Sequence, residues 1–337
     1  MPQEVASDGS SPPAYACSRL NTSTHLIIHN DTYEEYPFIY VKIYQDPLKL
    51  AVVIDTGCGA RSTAPSHEKH RITELKTYLK QELLDPQGTE ADYEFVVICT
   101  HCHFDHIGGI EAFATDSKVI ASGYDRKFLD PSNRGRSSLC PAFGLPTPQY
   151  DISHFASHGE RLTYEAKRLG DQAPIDLGLH ILHTPGHTPD SMSIYDVYER
   201  WLFVGDTLYH RRLSLPWGAK QDVPIIIPNH GSFAEFRSTL KLLQEFVEEE
   251  ERKNPHTIRL AAGHTTSAGP AKEMITTVSS FFTSLLQGKV PIVAEIPGDQ
   301  VAPGGSLGDE VYALWEEEGT PDFNLIAPRR FLNSFSS

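Results

Sequence analysis

Cysteine is scarce and odd in number: Cys17, Cys58, Cys99, Cys102 and Cys140 are the five in 337 residues. So few cannot staple a chain of this size, so reduced thiols and a cytoplasmic setting are expected. Cys99 and Cys102 have CxxC spacing, but no second such pair follows to complete a zinc knuckle, and the pair closes a strand-like run instead of opening a helix. Long apolar runs are missing as well; none approaches the 18 residues that a membrane span requires. The start, Met1 to Ser10, has no basic stretch followed by an apolar core, so no signal peptide is expected. Positive charge is in deficit, with 29 Lys and Arg against 44 Asp and Glu, a net charge of −15. Such a surface repels phosphate backbones, and no nucleic-acid partner is expected. No repeat of fixed period is visible, and no G-x-S-x-G turn supplies a serine nucleophile.

What the chain does have is an ordinary globular composition, 39% apolar and 22% charged, enough for one large domain. Residues 1–20 begin small, polar and proline-rich and read as a flexible segment. Strand-like runs follow at Leu26–Ile28, Phe38–Tyr44, Leu50–Ile54, Phe95–Ile98 and Lys118–Ile120. Ile72–Leu84 has helical spacing of Ile72, Leu75, Leu79 and Leu83. Residues 123–175 have weak periodicity and read as a partly helical insertion. Further strands are expected at Leu177–Leu182, Met192–Tyr195, Trp201–Val204 and Thr257–Ala261. Ser232-Phe-Ala-Glu235 is a capping box opening a helix, and another helix runs from Pro270 to about Leu286. A domain over 21–287 would then be followed by an irregular C-terminal extension, 288–337. Strand clusters in both halves, each flanked by helices, predict two sheets packed face to face with helices outside.

The densest chemistry lies in His101-Cys-His103-Phe-Asp105-His106-Ile-Gly108-Gly109, directly after a strand. Neutral imidazoles and ionised carboxylates suit divalent metals. His187, Asp206 and His264 occupy similar strand-end settings downstream. Taken singly, each has a bland reading: a core histidine bonded to a carbonyl, or an aspartate capping a turn. Together these seven side chains are enough for two metals sharing one carboxylate.

The ordered set resembles the metallo-beta-lactamase superfamily over roughly residues 25–270. Its HxHxDH motif reads as His101, His103, Asp105 and His106, its lone histidine as His187, its bridging aspartate as Asp206 and its last histidine as His264. The resemblance implies an α+β, four-layer αββα sandwich. It implies His101, His103 and His187 on one divalent metal, Asp105, His106 and His264 on the second, and Asp206 between them. Zinc is the expected metal, with iron or manganese as other choices. Asp55, before Thr56-Gly57, resembles the family's aspartate that orients a ligand histidine; a plain Asx turn is its other reading.

The complete motif looks most like the glyoxalase II, lactonase and acyl-thioester hydrolase branch. A metal-bridging hydroxide would attack an acyl carbonyl, with Asp105, Asp206 and Tyr209 as the catalytic group. Tyr209 stands where some relatives carry an oxyanion-facing phenol; packing at the pocket mouth is its alternative. An acyl-CoA-like thioester is the favoured small-molecule substrate, a lactone or carboxylic ester the alternative, and a non-catalytic metal-stabilised binding module the distant one. His210, Arg211 and Arg212 form the nearest basic group, available to a substrate anion or simply solvated. Cys102, between two ligands, should point away from the metals and lie on the opposite face from Cys99.

Overall fold

The structure is a computed structural model and describes residues 12–59, 72–88, 92–166, 170, 173–301, 310–319 and 322–335. Seven strands form the first sheet in chain order: β1 (Tyr15–Arg19), β2 (Thr24–His29), β3 (Phe38–Tyr44), β4 (Leu50–Ile54), β5 (Glu94–Ile98), β6 (Lys118–Ser122) and β7 (His154–Ala156). From β1 to β4 the pairing is antiparallel, and from β4 to β7 it is parallel. The second sheet holds β8 (Arg161–Tyr164), β9 (Ile175–His183), β10 (Met192–Asp196) and β11 (Trp201–Phe203), then Arg259–Ala261 and Gly269–Pro270. Here β11 and Arg259–Ala261 run parallel.

Strand residues explain the layering. Leu50, Val52 and Ile54 face the second sheet, where they meet Leu179, Ile181, Ile194 and Phe203. The alternate residues Ala51 and Val53 face outward and are covered by Leu75, Leu79, Ile107 and Phe113. A strand covered on both faces is apolar throughout, which is why these segments read as continuous runs. The outer face of the second sheet packs against two helices. Phe233–Lys253 buries Phe236, Leu240, Leu243 and Val247; Ala271–Leu286 buries Met274, Val278, Phe281 and Leu285. Ser232 caps the first of these, its Oγ accepting from Glu235 N at 3.3 Å. The result is a four-layer αββα sandwich of the α+β class.

Several expectations need correction. Residues 1–11 of the segment expected to be flexible lie outside the described residues, but Tyr15–Arg19 is the edge strand β1, anchored by buried Ala14 and Tyr15. The stretch 123–175 is not a separate insertion. Pro131–Ser137 is helical, yet β7 extends the first sheet and β8 the second. The helix expected over 72–84 divides into an α-turn at Leu75–Tyr78 and a π-helical turn at Leu79–Leu84.

The C-terminal extension is not irregular either. Ile292–Pro297, Val311–Trp315 and Leu325–Pro328 join Ile225–Ile226 in a four-stranded sheet. The inner strand Val311–Trp315 alternates: Ala313 and Trp315 enter the helix-side core, and Tyr312 and Leu314 enter a second cluster with Ala142 and Phe143. Prolines and glycines around these short strands hide that period in the sequence.

One buried ion pair ties the two main sheets together. Lys42 Nζ of β3 lies 2.6 Å from Asp196 Oδ2 of β10, both side chains almost fully buried. Burial raises the Asp196 carboxyl above its ordinary range, and Lys42 opposes that rise. Removing one partner therefore strands a charge. Lys42→Met should cost about 3–5 kcal/mol in urea unfolding, and Lys42→Met/Asp196→Asn should recover much of that loss. A double variant no more stable than the single would assign the cost to lost packing.

Candidate metal centre

Strand pairing brings the ligand-type residues to one edge. Ile98 of β5 pairs with Ile54 of β4, and Phe203 of β11 pairs with Ala261. His101, Asp206 and His264 each stand three residues beyond a paired strand end, at Ile98, Phe203 and Ala261 respectively. Asp55 directly follows β4, and His187 lies in the connection from β9 to β10. Parallel strands thus deliver their C-terminal loops to one place, each loop end held by a rigid sheet.

Two groups converge there. His101, His103 and His187 form the first, Asp105, His106, Asp206 and His264 the second, with ligand atoms in each group within 4.8 Å of one another. His101 Nε2 lies 3.1 Å and His187 Nε2 3.0 Å from His103 Nδ1. In the second group, Asp105 Oδ2 is 3.1 Å from His106 Nε2 and 3.2 Å from His264 Nε2. Asp206 lies between the groups. It is 3.4 and 3.5 Å from His106 and His264 Nε2, and 3.9 and 3.8 Å from His101 and His187 Nε2.

The outward nitrogen of every histidine has a partner, which selects its tautomer. His106 Nδ1 donates to Asp55 Oδ2 at 2.8 Å, His187 Nδ1 to Ile226 O at 2.6 Å and His264 Nδ1 to Glu35 O at 2.9 Å. Asp55 also accepts from Thr100 N and Thr100 Oγ1, at 2.8 and 2.7 Å. The Thr100 hydroxyl has then given away its proton, so it accepts from His101 Nδ1 at 3.1 Å. His103 differs: with Nδ1 turned inward, its Nε2 meets His230 Nε2 at 2.9 Å. His230 was not singled out in the sequence. Its signal was an apolar run shortly before a histidine, Ile225-Ile-Ile-Pro-Asn-His230, as before His101 and His264, but with the glycine after the histidine.

The electrostatics favour a cation. Burial, reinforced by neighbouring imidazoles, holds His101 and His103 well below the ordinary histidine value, and burial lowers His187, so their lone pairs are free. Burial also works against charge on His106 and His264, but Asp105 and Asp206 overcome it and hold both well above that value. In return those two imidazoles hold Asp105 and Asp206 far below the carboxylate range despite burial. His106 Nε2 and Asp206 Oδ1 are buried without a hydrogen bond of acceptable geometry, although oxygens lie close to the former. Buried carboxylates, inward lone pairs and two orphaned polar atoms fit divalent cations.

Other sequence candidates have partners of their own. Tyr209 is 2% exposed, its ring against His264 and its hydroxyl donating to Pro224 O at 2.8 Å, so the phenol proton is engaged by a backbone carbonyl. Arg211 is forked onto Asp222 and paired with Glu316 at 2.9 Å, and His210 packs on Phe323. Cys99 and Cys102 share one buried cluster and do not lie on opposite faces, because β5 ends at Ile98 and strand alternation no longer applies beyond it. Both are free thiols raised by burial.

Gly263 shows how closely the loops approach. A Cβ there would stand 2.3 Å from Asp206 Oδ1 and 2.5 Å from His106 Cε1. Gly263→Ala should therefore lower bound metal, read by elemental analysis, while circular dichroism stays unchanged. Wild-type metal content in a folded variant would count against Asp206 and His106 holding the metal in this arrangement.

The family model for the metallo-beta-lactamase superfamily matches residues 44–258. The "Putative transcription factor avaE" of Aspergillus versicolor is 28% identical over 293 residues, covering 84% of this chain and 80% of that protein. The human "Acyl-coenzyme A thioesterase MBLAC2" is 29% identical over 183 residues, covering 51% of this chain and 60% of that protein. Among solved structures, the DIM-1 metallo-beta-lactamase superposes with a TM-score of 0.51 at 13% identity, covering 82% of this chain and all of that one, a likeness of fold. With the family model spanning well over half its length and both ligand groups assembled at one sheet edge, this chain belongs to the metallo-beta-lactamase superfamily.

Proposed function

We propose that the chain is a dinuclear metal-dependent hydrolase acting on an acyl thioester. The supporting observation is the position of Asp206, within 3.9 Å of four imidazole nitrogens drawn from both ligand groups. His101 Nε2, His103 Nδ1 and His187 Nε2 would hold one ion, Asp105, His106 Nε2 and His264 Nε2 the other, and Asp206 both. Zinc suits this nitrogen and oxygen set, as do iron and manganese. When bound, such ions supply a Lewis acid and a water acidic enough to be a nucleophile near neutral pH.

The chain's own residues do the positioning. Asp55 holds the His106 ring and, through Thr100, the His101 ring. The Glu35 and Ile226 carbonyls aim His264 and His187. Cys58, Cys99 and Cys102 are buried and pushed well above the ordinary thiol value, which argues against a cysteine nucleophile among them. Thioester is preferred over lactone for two reasons. The human relative bears the name of an acyl-coenzyme A thioesterase. The phenol that would have favoured a lactone is bonded to Pro224.

The test is a hydrolysis panel on metal-loaded protein: acyl-CoAs of increasing length, lactoylglutathione, acyl-homoserine lactones and aryl esters. Thioesters should be cleaved. Asp206→Ala should lower kcat about 100-fold or more, because a ligand of both ions is lost, and should reduce metal content. Efficient lactone or ester turnover with every acyl-CoA inert would replace the thioester reading with the lactonase or esterase one. Full metal occupancy with no turnover on any substrate would return the chain to the binding-module reading.

A further inference from the structure

Beside the candidate metal centre lies a groove of about 450 Å³ whose lining includes Asp125, Lys127, Phe128, Asn133, Arg136 and His230. The cavity bounded by Lys80, Glu94 and Asp116 lies at the opposite end of β5 from the ligand loops. The groove is one imidazole away from the ligands, since His230 forms part of its wall and touches His103. Its position is set by the motif itself. Phe104 N donates to Ser138 O at 2.9 Å, which ties the end of the helix Pro131–Ser137 to the ligand loop. Asn133 Nδ2 donates to Lys127 O at 2.8 Å and holds the facing loop.

The charge of this groove runs against that of the chain. In a protein of net charge −15, it presents Lys127 and Arg136 with one carboxylate, Asp125, whose Oδ1 already accepts from Phe128 N. Among the described residues neither cation makes an ion pair, whereas Arg211, Lys253 and Arg329 all sit against carboxylates. The Phe128 ring packs on His230 at 5.1 Å and gives the groove an apolar patch between the charges.

We propose that this groove is the subsite for the anionic part of the thiol leaving group, an inference that rests on the thioester reading above. An acyl chain laid here would strip water from Lys127 and Arg136 and return no hydrogen bond, which is costly. Phosphate or carboxylate groups return charge-assisted bonds, and the Arg136 guanidinium fits either in a bidentate manner. The acyl portion then lies on the far side of the reacting carbonyl, away from His230.

The experiment compares wild type with Lys127→Ala/Arg136→Ala on three thioesters of one acyl group: the coenzyme A ester, the glutathione ester and the uncharged N-acetylcysteamine ester. For the charged thiols kcat/KM should fall about tenfold in the double variant, through KM, with kcat little changed. The uncharged ester should lose less than about threefold, and added NaCl should narrow the gap between the two proteins. Whichever charged ester loses more distinguishes phosphate from carboxylate recognition. Equal losses on all three esters, or none, would overturn the subsite. Calorimetric titration with free coenzyme A and free glutathione separates this inference from the reaction assignment. Binding present in wild type and weakened in the variant supports the subsite even if no thioester is hydrolysed. Thioester hydrolysis with neither thiol binding in the groove overturns the subsite alone.

Discussion

Asp55, Asp105 and Asp206 are carboxylates placed where water scarcely reaches, and an ionised carboxylate out of water is stable only when positive charge and hydrogen bonds surround it. Much of the surrounding architecture answers that demand. Asp55 takes three donors from Thr100 and His106, and Asp105 and Asp206 draw His106 and His264 toward the charged form. The same fields that favour a proton on those rings favour a divalent cation between them. His101, His103 and His187, more distant from carboxylates, are held neutral by burial, and only the neutral ring can ligate.

The fold supplies the rigidity this balance requires. Strands β4 and β5 are apolar on both faces because helices cover one side and the second sheet the other, so their ends scarcely move. Tyr40 of β3 crosses the sandwich to donate to Ala262 O at 2.7 Å, fixing the loop that carries His264. The C-terminal sheet belongs to the same frame. It pairs with Ile225–Ile226, and the Ile226 carbonyl aims His187. A segment remote in sequence thereby helps to hold a ligand-type histidine delivered by the β9–β10 connection.

Much of the site could be read from the sequence because metal ligands must follow strand ends, and strand ends are visible as apolar runs stopping at glycine. Trp201–Phe203 before Gly205-Asp206 and Arg259–Ala261 before Gly263-His264 have that form, and Phe95–Ile98 leads to His101 without a glycine. The run before His230 stops at Pro228 instead, and without the spacing of a motif this residue resembles any histidine in a turn. Tyr209 shows a limit of a different kind. Its place three residues after Asp206 suggested a catalytic phenol, yet sequence position carries no information about which carbonyl a hydroxyl will meet.

By itself, then, the sequence determined the layer pattern, the long helices and the identity and order of the ligand-type residues, because periodicity and residue chemistry are local properties. Only the tertiary structure decided that β7 and β8 complete the two sheets, that the C-terminal segment is a sheet in contact with the site's frame, and that Lys127 and Arg136 share a groove with His230. The physical reason is that these features depend on which surfaces meet. Short strands such as His154–Ala156 bury too little by themselves to declare a period, and they become strands only when a neighbouring edge offers hydrogen bonds. Two cations separated by eight positions in the chain, Lys127 and Arg136, become a binding surface only when a helix and a loop face each other across a cavity.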